Sequence, residues 1–338
     1  MASMLYKNSP PWGEKEGANF KFTHMKKLAL YFTIGLFSTN IFSSCNSNSS
    51  EEDSPVTITI PTEDIECCNA EETFLAYTFL NNGYVKEIPS LRDTIAGKYA
   101  VSAYSANGKL HLGYNDLFFT VTKLSNNGYV RNFTVSEITP LMTMTAKGMK
   151  HSTPAITEGA VYDKTFPAVH RAWVSYIMSS SDNGYWELSY KISTNGQSVV
   201  HAPSTITVDA LAQGQTWLKS FKYNDTTYYL TLVNPNSYQT GTNTIEAYIS
   251  KQGTDKKVPY GLSDEKFTIE IYPTMPDMGN HSSPDNKALT LQDDGSYKGQ
   301  LNLTMTGTWD IHLHIKDADG NTVAGDEGLS DLYWTVTI

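Results

Sequence analysis

Hydrophobic and polar residues alternate with period two in several short runs of this chain. In "WDIHLHIK", Trp309, Ile311, Leu313 and Ile315 fall on one side, and Asp310, His312, His314 and Lys316 on the other. "WELSYKI" repeats this pattern, with Trp186, Leu188, Tyr190 and Ile192 on the apolar side. Such alternation marks half-buried strands. Asn-Gly, Asp-Gly and Pro turns separate the runs, so the pattern predicts antiparallel β-sandwich architecture, with the tryptophans in the core. Long helical periodicities are absent after the N-terminal segment. Twenty-one tyrosines and many Thr, Ser and Asn residues suit sheets with one wet face.

The runs occur twice in the same order. "FTVSEITPLMTMTAKGMKHSTP" and then "IMSSSDNGYWELSYKIS" in the first half correspond to "FTIEIYPTMPDMGNHSSP" and "LTMTGTWDIHLHIK" in the second. Gly113-x-Asn115 matches Gly241-x-Asn243. Pro140, Met142, His151 and Pro154 match Pro273, Met275, His281 and Pro284; Met178 and Trp186 match Met305 and Trp309. The expectation is an all-β chain of two tandem units, residues 72–199 and 200–338. The division falls in the polar segment "TNGQSVVHAPSTITVD".

The N-terminal region changes the picture of where the chain works. "MKKLALYFTIGLFSTNIFSSC" has a basic start, an apolar run and small residues before Cys45. This is the pattern of a secretory signal, and the run is short for a membrane span. "FSSC" resembles a bacterial lipobox, which implies cleavage of residues 25–44 and lipidation of Cys45. Residues 1–24 read as a leader outside the fold. Residues 45–71 read as a flexible acidic tether holding the units off a membrane. The acidic run after Cys45 also resembles the surface-export signal of some outer-membrane lipoproteins. The expected location is therefore the cell envelope, anchored to the outer membrane on its periplasmic or outer face.

The leader and signal hold five lysines and two glutamates, so their removal takes the net charge from −10 to −13. That balance repels nucleic acid and anionic headgroups, and leaves no nucleic-acid partner expected. It is also what simple solubility requires. Cys67 and Cys68 are adjacent, too close for an unstrained bond to each other, and provide no disulfide framework. With no His or third Cys nearby, a metal role for them is not expected.

The second unit is similar to the YtkA-like family, which is related to FixH. The resemblance rests on Pro273, Met275, Pro276, Met278, Gly279 and His281, then Tyr297 and Gly299, then Met305, Gly307 and Trp309. It covers roughly residues 260–338, and reaches residues 100–195 only through the internal repeat. One departure is Asn280, inserted between Gly279 and His281. In the first copy Thr143 replaces Pro276. The resemblance implies an immunoglobulin-like β-sandwich, an envelope location and a link to copper handling.

Thioether sulfur prefers Cu(I), and imidazole suits Cu(I), Cu(II) and Zn(II). The candidate metal ligands are Met275, Met278, His281 and Met305 in the second copy. In the first they are Met142, Met144, Met149, His151 and Met178. The competing reading is structural: methionines fill gaps between sheets and pack on aromatics, and a loop histidine is usually a solvated turn residue. His312 and His314 share a strand face with Asp310 and Lys316, which marks a solvent face. His170 in "FPAVHRAW" has no counterpart in the second copy. The chain has no G-x-S-x-G, H-E-x-x-H, Walker or dinucleotide motif, so it is not expected to be an enzyme. Two functions fit: a lipid-anchored copper-binding envelope protein that passes the ion to a transport partner, or an envelope interaction protein whose methionines belong to the core.

Overall fold

The computed structural model describes residues 70–157, 159–162, 168–212, 215–233, 238–326, 329 and 332–338. The leader, the signal, Cys45, nearly all of the tether, Cys67 and Cys68 lie outside the described residues. Among the described residues, no helix is long and apolar enough to cross a membrane.

The fold is almost entirely β and almost entirely antiparallel. In the first unit one sheet has the strand order Val85–Glu87, Tyr99–Ala106, Gly113–Lys123, His170–Tyr176, Val161–Tyr162. The facing sheet has the order Gln197–Ile206, Gly184–Thr194, Phe133–Met144, Met149–His151. Their inner faces meet through Val101, Leu117, Phe119 and Val121 on one side and Val135, Trp186, Leu188, Tyr190 and Ile192 on the other. Phe119 meets Tyr190 edge to face at 5.1 Å. The alternation read from "WELSYKI" is the inward face of this sheet.

The polar segment expected to separate the units is itself a strand. Gln197–Ile206 pairs along Gly184–Thr194, so the division expected between residues 199 and 200 falls inside it. Val208–Asp209 then pairs with Leu110–His111, and the second unit's strands begin at Leu218. One element departs from the all-β expectation: a helix, α1, spans Ala70–Leu80. Glu71 and Glu72 in its first turn oppose the helix dipole favourably. Phe79 packs edge to face on Phe118 at 5.2 Å, and Glu72 pairs with Arg131. The outer side of the Gly113–Lys123 strand is thus covered by α1 at Phe118, and by Tyr248 at Tyr114 and Arg171 at Asp116, which is why residues 113–121 are buried without alternation.

The second unit orders Leu218–Tyr223, Thr226–Leu232, Gly241–Lys251, Tyr297–Leu303 and Lys287–Leu291, then continues into Thr268–Met275, Thr308–Lys316 and Thr322–Ala324. Tyr333–Thr337 also pairs with Thr308–Lys316. Lys287–Leu291 joins the two halves, because Leu289 pairs with Ile269 while its neighbours pair with Tyr297–Leu303. Gly299 permits this closure: a Cβ there would stand 2.6 Å from the Lys287 carbonyl. Trp309, Ile311, Leu313 and Ile315 are all buried in this core.

The units touch through aromatic groups and backbone hydrogen bonds. Tyr248 of the second unit packs into the first core and stacks on Trp173 at 4.6 Å and on Tyr114 at 6.0 Å. Beside it, Arg171 donates to Asp116 and to the Tyr114 hydroxyl, both at 2.7 Å, and Tyr114 donates to Asp116. The Tyr260 N–H donates to Thr153 O at 3.0 Å, and the Ala155 N–H donates to Tyr260 O at 3.2 Å.

Candidate functional site

Each unit carries the same corner. In the second unit Thr268–Met275 ends on Met275. A 3-10 turn, Pro276–Met278, follows, with Pro at its start where no N–H is needed. Gly279 (φ 66°) and Asn280 (φ 60°) then take two left-handed steps, and the Asn280 N–H donates to Met275 O at 3.0 Å. Asn tolerates that conformation better than other side-chain-bearing residues. The result is that His281 lies directly across from Met275. The extra residue therefore sets the histidine opposite the methionine.

The first unit reaches the same arrangement by a longer hairpin. Met144 pairs with Met149, Thr143 with Lys150, and Met142 with His151. His151 is half-buried, and its Nδ1 lies 2.9 Å from Ser152 O, so that nitrogen donates and Nε2 is left as the lone-pair side.

The Gly-x-Trp segment lies against both hairpins. Trp186 donates its indole N–H to Met178 O at 2.9 Å, and Trp309 donates to Met305 O at 3.0 Å. The His151 ring meets Trp186 edge-on at 5.6 Å, and the His281 ring lies 6.5 Å from Trp309. A Cβ on Gly307 would stand 2.6 Å from Met275 Cε. One on Gly184 would stand 3.1 Å from Met142 Cε. The methionine in each hairpin covers the glycine in each Gly-x-Trp segment.

This geometry divides the candidate ligands. Met142 and Met275 are 1% and 4% exposed and belong to the cores. Met144 and Met305 are partly buried and pack against those cores. Met149, Met178 and Met278 are 51%, 37% and 55% exposed, and His281 is exposed. Soft donors at the surface of the second corner are thus Met278 and His281, with Met305 at its edge; in the first they are Met149, His151 and Met178. These donor types fit Cu(I). Among the described residues no three His, Cys, Asp or Glu side chains cluster as a metal site.

His312 and His314 are half-buried on the outer face. His312 stacks on Tyr333 at 5.1 Å, and His314 lies 4.6 Å from Tyr272. Burial holds the His170 imidazole down at about 4. Its ring stacks on Phe133 at 3.8 Å.

Sequence reasoning missed what Asn115 and Asn243 do. Asn115 donates to His111 O (2.7 Å) and Gly113 O (2.8 Å) and accepts from the His111 N–H (2.9 Å). Asn243 donates to Gln239 O (2.7 Å) and Gly241 O (2.9 Å) and accepts from the Gln239 N–H (2.9 Å). The recurring Gly-x-Asn was the visible signal. Its purpose is to tie down the entry to one central strand in each unit.

No curated protein matches this chain. Among solved structures, domains 5-6 of the S-layer protein SbsC are similar at 8% identity, covering 75% of this chain and 99% of that one, with a TM-score of 0.24. A structure described as pT26-6p is similar at 8% identity, covering 77% and 68%, with a TM-score of 0.20. Likenesses this low carry no argument about function. The family comparison is of a different kind, since it falls on the segment that holds the second hairpin and its Gly-x-Trp: residues 222–314 match the YtkA-like family model.

Proposed function

We propose that this is a lipid-anchored cell-envelope protein whose two β-sandwich units capture or deliver a soft metal ion, Cu(I) before any other, at their Met/His corners. The observation that carries this reading is the duplication. In two separate cores a histidine faces a methionine across a hairpin, Met142 in the first and Met275 in the second, beside a tryptophan bonded to the carbonyl of a further methionine. A turn needs neither sulfur nor imidazole. The ion would be held by Met278, His281 and Met305 in the second unit, and more weakly by Met149, His151 and Met178 in the first. Thioethers need no deprotonation, so they would keep their share of the affinity in mild acid. The acidic tether after Cys45 supports placing both units away from the bilayer, within reach of an envelope transport partner.

The test is a Cu(I) competition titration of the full chain against a Met278→Ala/His281→Ala/Met305→Ala variant. The expected result is affinity weaker by about tenfold or more, since three soft ligands are lost. Equal affinity ends the metal reading for this corner. For the anchor, Cys45→Ala is expected to move the protein from the membrane fraction to the soluble fraction.

Burial of Met142 and Met275 favours a second reading, an envelope interaction protein whose methionines serve the core. On that reading Cu(I) leaves the melting temperature unchanged, and chemical cross-linking in the envelope captures a protein partner.

A further inference from the structure

Asp93, His201 and Ser204 stand in line at one edge of the first unit. His201 Nδ1 lies 2.9 Å from Asp93 Oδ2, and His201 Nε2 lies 2.9 Å from Ser204 Oγ. The carboxylate only accepts, so Nδ1 carries the proton. Nε2 is then the lone-pair side, and the serine hydroxyl donates to it. The hydroxyl also donates, at 3.2 Å, to Ala202 O, so its one proton is shared between that carbonyl and the closer Nε2.

Three features build this line. Residues three apart on a regular strand point to opposite faces. Here Leu188 pairs with Ser204 and Tyr190 with His201, so Ala202 and Pro203 together oppose Ser189. This one-residue bulge turns Ser204 onto the inner face with His201, the re-aiming for which bulges serve beside active sites. The His201 ring stacks on Tyr190 at 4.7 Å and 9°, and Tyr190 donates its hydroxyl to Leu91 O at 2.6 Å. Asp93 arrives from the opposite sheet, on a strand paired with Tyr99–Ala106. The three residues bridge the two sheets at the open edge of the sandwich. His201 is almost fully buried, whereas Ser204 is half-buried.

A cleft of about 480 Å³ opens on the far side of Asp93, lined by Glu87, Arg92, Thr94, Ala100, Val101 and Ser102 as well; neither His201 nor Ser204 lines it. Its charged groups are satisfied: Glu87 with Arg92, and Asp93 with His201.

We propose that Ser204 is an acyl-accepting nucleophile, with His201 as its general base and Asp93 as the positioning residue, and that the substrate class is a carboxylic ester. This goes beyond the metal reading and is independent of it. Ser204 Oγ bonds to the ester carbonyl carbon while its proton passes to His201 Nε2. The bond to the alcohol oxygen breaks, and His201 returns the proton to the departing alcohol. Water then adds to the acyl-serine, gives its proton to Nε2, and the free acid leaves as Ser204 recovers the proton. Ester and water become acid and alcohol, with no other reactant.

The test uses the full-length protein with a fluorophosphonate probe, read by intact mass and peptide mapping, and with p-nitrophenyl acetate. Phosphonylation is expected at Ser204 and is absent in Ser204→Ala. His201→Gln and Asp93→Asn are each expected to slow labelling and p-nitrophenol release by about tenfold or more. Thermal melts accompany each variant. A structural role would shift the melt and leave labelling of Ser204 at its original rate. If His201→Gln fails to fold, Ser204→Ala and Asp93→Asn carry the test. No label at Ser204 in the native protein, or ester hydrolysis unchanged in Ser204→Ala, overturns the proposal.

Discussion

Trp309 gives its indole hydrogen to the Met305 carbonyl at 3.0 Å, and Trp186 does the same for Met178 at 2.9 Å. A buried indole needs such a partner. The backbone of the Met-x-Gly-x-Trp turn in the second unit is thus committed to the fold. Trp309→Phe keeps an aromatic ring but leaves that carbonyl without its donor, at a cost of about 1–3 kcal/mol. Urea denaturation of the variant measures it, and Trp186→Phe is expected to fall in the same range.

The two glycines of the Gly-x-Trp segments differ in room. Gly307 sits at φ 132° with Met275 Cε 2.6 Å from where a Cβ would be, whereas Met142 Cε stands 3.1 Å from the equivalent point at Gly184. Gly307→Ala is expected to destabilise by about 1–3 kcal/mol, and more than Gly184→Ala does. Shortening Met275 to alanine removes the obstructing methyl. The penalty of Gly307→Ala should then shrink in a Met275→Ala background, which a double-mutant cycle reads as coupling.

Exposed and buried ligands should separate in stability measurements. Met275→Ala removes a core side chain and is expected to cost about 2–5 kcal/mol. Met278→Ala and His281→Ala are expected to stay within about 0.5 kcal/mol of the native protein. Denaturant midpoints at constant m-value check both.

His170 gives the fold an acid sensitivity. Burial is the main cause of its lowered value of about 4, with the bond to Arg131 O pulling weakly the other way. Folded His170 is held below the unfolded imidazole at roughly 6.5, so the unfolded chain binds the proton first as pH falls. Its contribution is fully present above about pH 6.5 and is lost as pH drops toward 4, on the order of 3 kcal/mol in all. His170→Phe should flatten that part of the stability profile. Chemical denaturation at pH 7 and pH 4.5, compared between the two proteins, reads the difference.

Arg171 holds the join between the units. It bonds to Asp116 and to Tyr114, and Tyr114 stacks on Tyr248 of the second unit. Arg171→Ala leaves the buried Asp116 carboxylate without its cation, a loss of about 3–5 kcal/mol. The loosened join should also speed proteolysis between residues 206 and 218.

Much of the fold was legible because its signals are local. Trp309, Ile311, Leu313 and Ile315 announce their shared burial by spacing alone, since a strand sends alternate residues to opposite faces. The duplication was legible from residue order. Helix α1 was not, because its burial is only a satellite of the main core, through Phe79 on Phe118. The edge strand Gln197–Ile206 was not, because its polar residues face water on a sheet margin and resemble a linker.

The sequence by itself determined the class of the protein, almost all β and antiparallel, with a YtkA-like pattern in its second half and two stretches that share a Pro-x-Met, a histidine and a Gly-x-Trp in the same order. Only the tertiary structure decided which sulfurs face inward, that Asn280 turns His281 back onto Met275, and that Asp93 meets His201 across two sheets. Periodicity reports the face on which a residue lies. It does not report hairpin register or the meeting of distant strands, and those are fixed by packing between sheets.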